Sequence, residues 1–256
     1  MCTLSFLPDG EDFVVGMNRD EQRSRTLALP PKVHTNDNLL AVYPSEPCGG
    51  TWIAANQSGI VLSLLNWYAA NSRQLAAKQK SRGDVIPQLI FEREIICMTT
   101  RLRKFDLTGV HPFRLVGISQ PQRSICEWRW DGHNLIDLVF SWTRKHWFSS
   151  SLSDSSAERH RGAACTTAAL AANPHDPLWL DALHRSHRPA PGPYSICVHR
   201  QDAATVSYTK VSFVGGALTM AYVSGSPCEK LAFDVVEAIP GAIGANTPGR
   251  QTGAIF

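Results

Sequence analysis

The sequence predicts an α+β domain in which strands and helices form separate layers. Strand-like patterns fill the first third of the 256-residue chain, helical spacing follows, and strands return before a last helix. This order differs from the regular alternation of strand and helix that builds a parallel sheet. With 43% hydrophobic residues, the chain can bury a sizeable core. We expect one domain over residues 1–228 and a partly disordered C-terminal extension over 229–256.

A β-hairpin is predicted to begin at residue 2. Residues 2–7 alternate small or polar with apolar side chains, and residues 13–17 are apolar and partly β-branched. The PDGED segment between them has turn chemistry. A loop rich in Pro and Asn is expected from Ser24 to Asn38. Three further strands are predicted in the segments LLAVYP, GGTWIAAN and GIVLSLLNW.

The rest of the chain changes between helical and strand-like patterns. Apolar residues recur at three- and four-residue spacing from Ala69 to Arg103, which predicts helices broken near Gly83 and Pro87. The elements predicted after them are strands at 113–118, 124–130 and 134–140, a helix at 157–172, strands at 194–200, 205–213 and 217–223, and a helix at 229–236. The Gly- and Pro-rich tail has no period and is expected to be disordered.

Composition and charge exclude several classes of protein. The net charge of +3 is spread along the chain without a run of like charges, so nucleic acid is not an expected partner. No apolar leader and no stretch of about 18 apolar residues is present, so we expect a cytoplasmic protein without a membrane span. The seven cysteines are an odd number without a CxxC or a His pair at zinc spacing. We therefore expect mostly buried thiols, no metal and no other cofactor.

Cys2 carries the first candidate chemistry. Its small side chain allows an aminopeptidase to remove Met1, after which one residue would hold both a thiol and a free α-amine. An α-amine has a pKa of about 7.7–8.0 and a thiol about 8.5, so the amine can accept the thiol proton near neutrality. Cys2 would then be a nucleophile with its own base.

The sequence Asn18-Arg19-Asp20-Glu21 ends the second strand of the predicted hairpin, and the hairpin brings it close to Cys2. Asp20 is our candidate for the carboxylate that orients the amine. Arg19 can lower the thiol pKa or bind an anionic group of a substrate. The alternative interpretation is a polar turn with a surface ion pair of little energetic value.

Several motifs together resemble the NRDE family of transport and Golgi organisation proteins. They are Met1-Cys2, NRDE at 18–21, GGTW at 49–52, a strand ending in Asn66, SRGD at 81–84, FSSS at 148–151 with Arg159 or Arg161 behind it, and SICVHR at 195–200. The resemblance covers residues 1–228. That family in turn resembles the cysteine N-terminal nucleophile hydrolases, which implies a four-layer αββα sandwich and an amide-cleaving reaction.

The resemblance implies roles for individual residues. Cys2 matches the nucleophile, and Asp20 matches the aspartate that holds its amine. Asn66 matches the position that gives a backbone N–H to the oxyanion hole, and Asn173 matches the side chain that is its second donor. The structural alternative is that Asn66 only ends a strand and that Asn173, before a proline, only ends a helix.

Substrate-binding residues are less directly implied. Bile salt hydrolases have an arginine where this chain has Met17, and Arg19, two residues later on the same face of a strand, can supply that cation. Arg200 is the candidate for a late arginine of the hydrolases. Trp52 can line the substrate pocket, or it can be a core residue like the other tryptophans.

Two functional hypotheses follow. In the first, the protein is an amidohydrolase that acts on a non-peptide amide or an acyl conjugate through Cys2. In the second, it is a non-catalytic protein that binds or transports a hydrophobic ligand such as an acyl lipid or haem. Both predict a small-molecule partner, and neither fixes the oligomeric state.

Overall fold

Two antiparallel β-sheets packed face to face form the centre of the computed structural model, which describes residues 2–70, 80–171 and 176–240. The apolar side chains between the sheets include Leu4, Val15 and Met17 of one sheet and Val61 and Leu65 of the other. Because side chains alternate along a strand, residues two apart, such as Val15 and Met17, point into the same core. The opposite faces of both sheets are covered by helices, so the fold is an αββα sandwich of the α+β class, as predicted.

The first sheet contains the predicted hairpin. It has six strands in the order β10-β1-β2-β11-β12-β13. The strands are β1 (Cys2–Asp9), β2 (Asp12–Gln22), β10 (Lys145–Ser149), β11 (Ala203–Val214), β12 (Ala217–Ser224) and β13 (Val235–Pro240). Asp9 pairs with Asp12 across a two-residue turn, and Gly10 in that turn has a φ of +58°, a conformation that glycine adopts without strain. The turn sets the register that puts Arg19 opposite Cys2.

The second sheet follows chain order, with seven strands from β3 to β9. The strands are β3 (Leu29–Asn36), β4 (Leu39–Ser45), β5 (Ile53–Asn56), β6 (Ile60–Asn66), β7 (Phe113–Ser119), β8 (Ser124–Trp130) and β9 (Leu135–Phe140). Strand β6 is almost entirely apolar because both of its faces are buried. Val61 and Leu65 face the other sheet, whereas Leu62 and Leu64 face the helices.

The helices form the two outer layers. They are α1 (Val85–Leu89), α2 (Ile95–Leu102), α3 (Asp154–Ala171) and α4 (Pro177–His184), with short 3₁₀ turns at Arg82–Asp84 and Pro227–Glu229. Helices α1 and α2 pack on the second sheet, and α3 and α4 pack on the first. No helix in the described ranges is both long and apolar enough to cross a membrane.

Several local predictions were wrong. The expected loop at 24–38 contains β3, because its two prolines lie on an edge strand of the sheet, where a missing N–H is tolerated. The expected strand at 194–200 is irregular because its N–H groups bond to loop carbonyls, such as Ile196 N–H to Arg188 O. The expected helix at 229–236 is replaced by the 3₁₀ turn and by β13, which pairs with β12. Strand β10 and helix α4 were not predicted.

Other expectations fall partly or wholly on residues outside those described. Part of the helical stretch at 69–103 and nearly all of the tail after Ile239 belong to this group. The domain boundary at residue 228 stays a prediction, although β13 extends the first sheet beyond it.

Candidate functional site

Most of the predicted site residues line one cleft of about 690 Å³. Its walls include Cys2, Arg19 and Asp20 from the first sheet, together with Trp52 and Asn66 from the second. The cleft therefore lies where the N-terminal hairpin meets the second sheet. Many of the lining side chains are charged or polar, which favours a ligand that has polar groups.

Cys2 is buried at the start of β1, between β2 and β10. It pairs with Arg19 on one side and with Ser149 on the other, and its main-chain N–H donates to Ser149 Oγ at 2.9 Å. Burial raises the pKa of the Cys2 thiol, and the charge of Asp20 adds to the increase. Arg19 acts in the opposite direction. The thiol therefore needs a nearby base before it can react as a thiolate.

Arg19 shares the cleft-facing side of the sheet with Cys2, and its guanidinium carbon lies 4.5 Å from the centre of the Trp52 ring. It forms ion pairs with Glu46 and, at 3.2 Å, with Glu21. Arg25 contacts the same two carboxylates, at 2.9 and 3.1 Å. Two arginines and two glutamates thus form a network that holds the Arg19 side chain in a fixed position.

The carboxylate of Glu21 is strongly held within this network. Burial alone would raise its pKa, but the hydrogen bond from Gln22 N–H and the charges of Arg19 and Arg25 outweigh it and lower the pKa. Glu21 therefore stays ionised at neutral pH, and it acts as a partner for the arginines rather than as a proton donor.

Asp20 borders the cleft, but its carboxylate lies on the side of β2 that faces the helical layer, because Asp20 alternates with Arg19 along the strand. Thr205 Oγ1 donates to one carboxylate oxygen at 2.6 Å, and Arg161 Nη2 donates to the other at 3.4 Å. Arg161 comes from α3 and is completely buried. Its other amino group donates to Cys2 O at 3.3 Å and to Thr3 Oγ1 at 2.9 Å. Arg161 therefore connects Asp20 to the backbone of the candidate nucleophile.

Asn18 also faces the helical layer, where it anchors the strand. Its amide nitrogen donates to His184 O at 2.8 Å and to Ile196 O at 3.0 Å, while its amide oxygen lies 3.1 Å from His184 Nδ1. All of these groups are buried. The first residue of the NRDE sequence is thus a structural connection between β2, α4 and the segment around residue 196.

Asn66 is the last residue of β6, opposite Phe113 of β7. Leu64 N–H donates to Trp52 O at 2.8 Å, on the side of β6 that faces away from β7. Alternate residues of a strand direct their N–H groups to the same side, so the Asn66 N–H also faces away from β7, toward the cleft wall that contains Trp52. The Asn66 side chain donates to Tyr68 Oη at 2.6 Å.

Arg82 is a cleft residue to which the sequence analysis gave no role. The GGTW and SRGD segments contact each other through glycines, and Thr51 N–H donates to Gly83 O at 3.0 Å. A Cβ atom at Gly50 would lie 3.1 Å from Gly83 Cα, so any side chain there would press on the main chain of Gly83. This contact brings the neighbouring Arg82 into the cleft.

The charge of Arg82 has no acidic partner. Its guanidinium donates to Pro112 O at 3.3 Å, and no Asp or Glu side chain of the chain lies within ion-pair distance in the described structure, which includes all of them. Burial lowers the pKa of Arg82, while Tyr68 and Cys2 act against this shift. Residue spacing in the sequence does not predict a role for Arg82. The SRGD motif, which contains Arg82, is the sequence feature that marks this segment.

Two predicted site residues are not part of the described cleft. Asn173 lies outside the described residues. Arg200 is absent from the lining of the cleft, and its guanidinium instead binds Asp202 at 2.6 and 2.9 Å and Ser151 Oγ at 3.3 Å. Their predicted roles stay predictions. Ser149 and Thr205, which hold Cys2 and Asp20, had no predicted role.

The fold is that of the N-terminal nucleophile hydrolases. It is similar to penicillin V acylase from Agrobacterium tumefaciens, with a TM-score of 0.50 and 8% identity over 88% of this chain and 86% of that one. It is also similar to a mutant of conjugated bile acid hydrolase from Clostridium perfringens, with a TM-score of 0.54 and 9% identity over 94% and 92% of the two chains.

The sequence identifies the family more closely. The chain belongs to the TANGO2 (Transport and Golgi organisation 2) family, whose model matches residues 1–175, and the predicted membership is thereby confirmed. No curated protein matches the sequence.

Proposed function

We propose that this chain is an amidohydrolase of the N-terminal nucleophile type that acts on a non-peptide amide or an acyl conjugate. The position of Cys2 supports this proposal best, because Cys2 lines the cleft and its main-chain nitrogen is held by Ser149 at 2.9 Å. Removal of Met1 would turn that nitrogen into a free α-amine. Nucleophile and base would then belong to one residue.

In the proposed reaction, the α-amine takes the thiol proton and the sulfur of Cys2 attacks the carbonyl carbon. The C–N bond of the substrate breaks, and the leaving amine takes a proton from the Cys2 ammonium. The remaining acyl thioester is then attacked by water, which releases a carboxylic acid and restores the thiol. The amine is suited to this role because its ordinary pKa of about 7.7–8.0 lies near neutrality.

Other residues would position and stabilise the reacting groups. Asp20, fixed by Thr205 and Arg161, would orient the Cys2 amine. The Asn66 N–H would donate to the oxyanion, with the Asn173 side chain as the second donor. Removal of one of the two donors of such an oxyanion hole typically lowers the rate by about 10²- to 10³-fold.

The charges of the cleft bear on the substrate class. Arg19 and Trp52 would form one wall of the binding site, and Arg82 would offer a cation without a carboxylate partner to an anionic group of the substrate. Arg200 stays a proposed substrate-binding residue. The two similar solved structures are named for penicillin V and for conjugated bile acids. A small acyl conjugate with an anionic group is therefore the first class to screen.

The proposal is tested by intact-mass spectrometry and limited alkylation of the protein with its native N-terminus. We expect Met1 to be absent and Cys2 to react with limiting iodoacetamide before Cys48 and Cys97, which are exposed. Burial alone predicts the reverse order, so faster labelling of Cys2 requires an activated thiol. The Cys2→Ala protein is the control for assignment of the labelled peptide.

Retention of Met1, or slower labelling of Cys2 than of the exposed thiols, would contradict the proposal that the chain is an amidohydrolase. Binding of a hydrophobic ligand such as an acyl lipid or haem would then become the working hypothesis. For the enzyme we propose a cytoplasmic location, because its seven cysteines are free thiols, as is usual in a reducing compartment.

A further inference from the structure

Four side chains of types that can bind a metal ion converge outside the cleft. They are His187, Cys197, His199 and Cys228, whose ligand atoms all lie within 4.8 Å of one another. His199 Nε2 is 3.2 Å from Cys228 Sγ and 3.7 Å from Cys197 Sγ. None of the four lines the cleft that contains Cys2.

The two separations from His199 Nε2 to the sulfurs agree with a tetrahedral metal site. With Zn–S bonds of about 2.3 Å and Zn–N bonds of about 2.0–2.1 Å, a sulfur and a nitrogen on one zinc ion lie about 3.6 Å apart. Two thiolates and two imidazoles are also a ligand set typical of structural zinc. We propose that His187, Cys197, His199 and Cys228 bind one zinc ion, which the protein itself coordinates completely.

Three chain segments, around residues 187, 197–199 and 228, form the cluster, and a main-chain hydrogen bond holds the first two together. Cys197 N–H donates to Ser186 O at 2.9 Å, which fixes the distance between the His187 and Cys197 segments. Arg185 Nη1 donates to Pro227 O at 2.9 Å, which brings in the 3₁₀ turn that carries Cys228. Only Cys197 and His199 are close in sequence. This is why the spacing of cysteines and histidines did not predict a metal site.

The chemistry of the ligands agrees with a bound cation. Two thiolates in this place would repel each other, whereas a divalent cation would stabilise both of them and displace their protons.

The zinc ion would have a structural role next to the candidate active site. Val198, between the two ligands Cys197 and His199, donates its N–H to Thr205 Oγ1 at 2.8 Å, and Thr205 in turn donates to Asp20. Ile196 O accepts from Asn18 at 3.0 Å. Fixing the 196–199 segment would therefore also fix the residues that hold Asn18 and Asp20.

Metal content of the full-length protein tests the proposal directly. We expect about one zinc ion per chain, by elemental mass spectrometry, after purification with zinc and dialysis against a weak chelator. Cys228→Ser and His199→Asn should lose the metal under conditions in which Cys48→Ser and His133→Asn keep it. Co²⁺ in place of Zn²⁺ should give thiolate-to-cobalt charge-transfer absorption, and this absorption should weaken in Cys228→Ser.

A folding measurement supports the interpretation of these variants. A strong chelator should lower the melting temperature of the wild-type protein but not that of Cys228→Ser, which would already lack the metal. The proposal would be overturned if no metal bound, if Cys228→Ser and His199→Asn bound as much as the controls, or if peptide mapping found a Cys197–Cys228 disulfide in the native protein.

Discussion

Replacement of Arg161 by methionine tests whether the buried charges behind Cys2 are coupled. Arg161 is completely buried, and Nη2 lies 3.4 Å from Asp20 Oδ2. With an effective dielectric constant of about 20, two unit charges at this separation attract by about 5 kcal/mol. Removing one member of a buried pair costs about 3–5 kcal/mol, because the other charge stays buried without its partner. We expect Arg161→Met to lower the free energy of unfolding by about 3–5 kcal/mol.

Urea denaturation with a double-mutant cycle measures this coupling. Asp20→Asn removes the carboxylate while keeping the side-chain shape, so Arg161→Met in the Asp20→Asn protein should cost less than it does alone. Arg159→Met is the matched control, because Arg159 is exposed on the same helix, and it should change stability by no more than about 0.5 kcal/mol.

The double-mutant cycle can also refute the coupling between Arg161 and Asp20. If Arg161→Met costs less than about 1 kcal/mol, or if the two substitutions are additive, the Arg161–Asp20 pair does not stabilise this region. Arg161 would then contribute through its hydrogen bonds to Thr3, to the Cys2 carbonyl and to Pro193 O.

Two further predictions concern the contact between the hairpin and α4. Burial lowers the pKa of His184 to about 3 and that of His146 to about 4, whereas an unfolded His has about 6.5. The unfolded state therefore binds more protons below pH 6.5, and the free energy of unfolding should fall as the pH drops toward 4, by up to about 1.4 kcal/mol per pH unit for each group. Urea unfolding at several pH values measures the slope, and a flat profile between pH 7 and 5 would contradict the burial of both imidazoles. Gly16→Ala should cost about 1–3 kcal/mol, because its Cβ would lie 2.9 Å from His184 Nε2. Gly162→Ala, with its nearest neighbour at 3.9 Å, should be neutral or stabilising in the same assay, and equal losses in both variants would refute the steric argument.

The N-terminal half of the site was predictable because its geometry is local. A two-residue turn at Gly10 fixes the hairpin register, and that register alone puts Arg19 opposite Cys2. The fold class followed from the order of strand and helix patterns, together with the family resemblance. Asn66 lies in the cleft at the end of β6, and the apolar run of that strand predicts where it ends.

The contacts that support the site were not predictable in the same way. Arg161 is 141 residues from Asp20, and Thr205 is 185 residues from it, so no local pattern connects them. Thr205 reaches Asp20 because β11 lies beside β2 in the first sheet, although most of the chain separates these strands, and Arg161 reaches it from helix α3. The same reason explains why the cluster of Cys197 and Cys228 could not be found from spacing.

The alternation of side chains along β2 gives the NRDE sequence two separate tasks. Arg19 and Glu21 face the cleft, where they form a charge network with Glu46. Asn18 and Asp20 face the helices, where they bind α4, the segment around residue 196, Thr205 and Arg161. A run of four polar residues can therefore occupy a largely buried strand, because each side chain has a polar partner on its own side of the sheet. The motif both shapes the cleft beside Cys2 and fixes the strand that forms it.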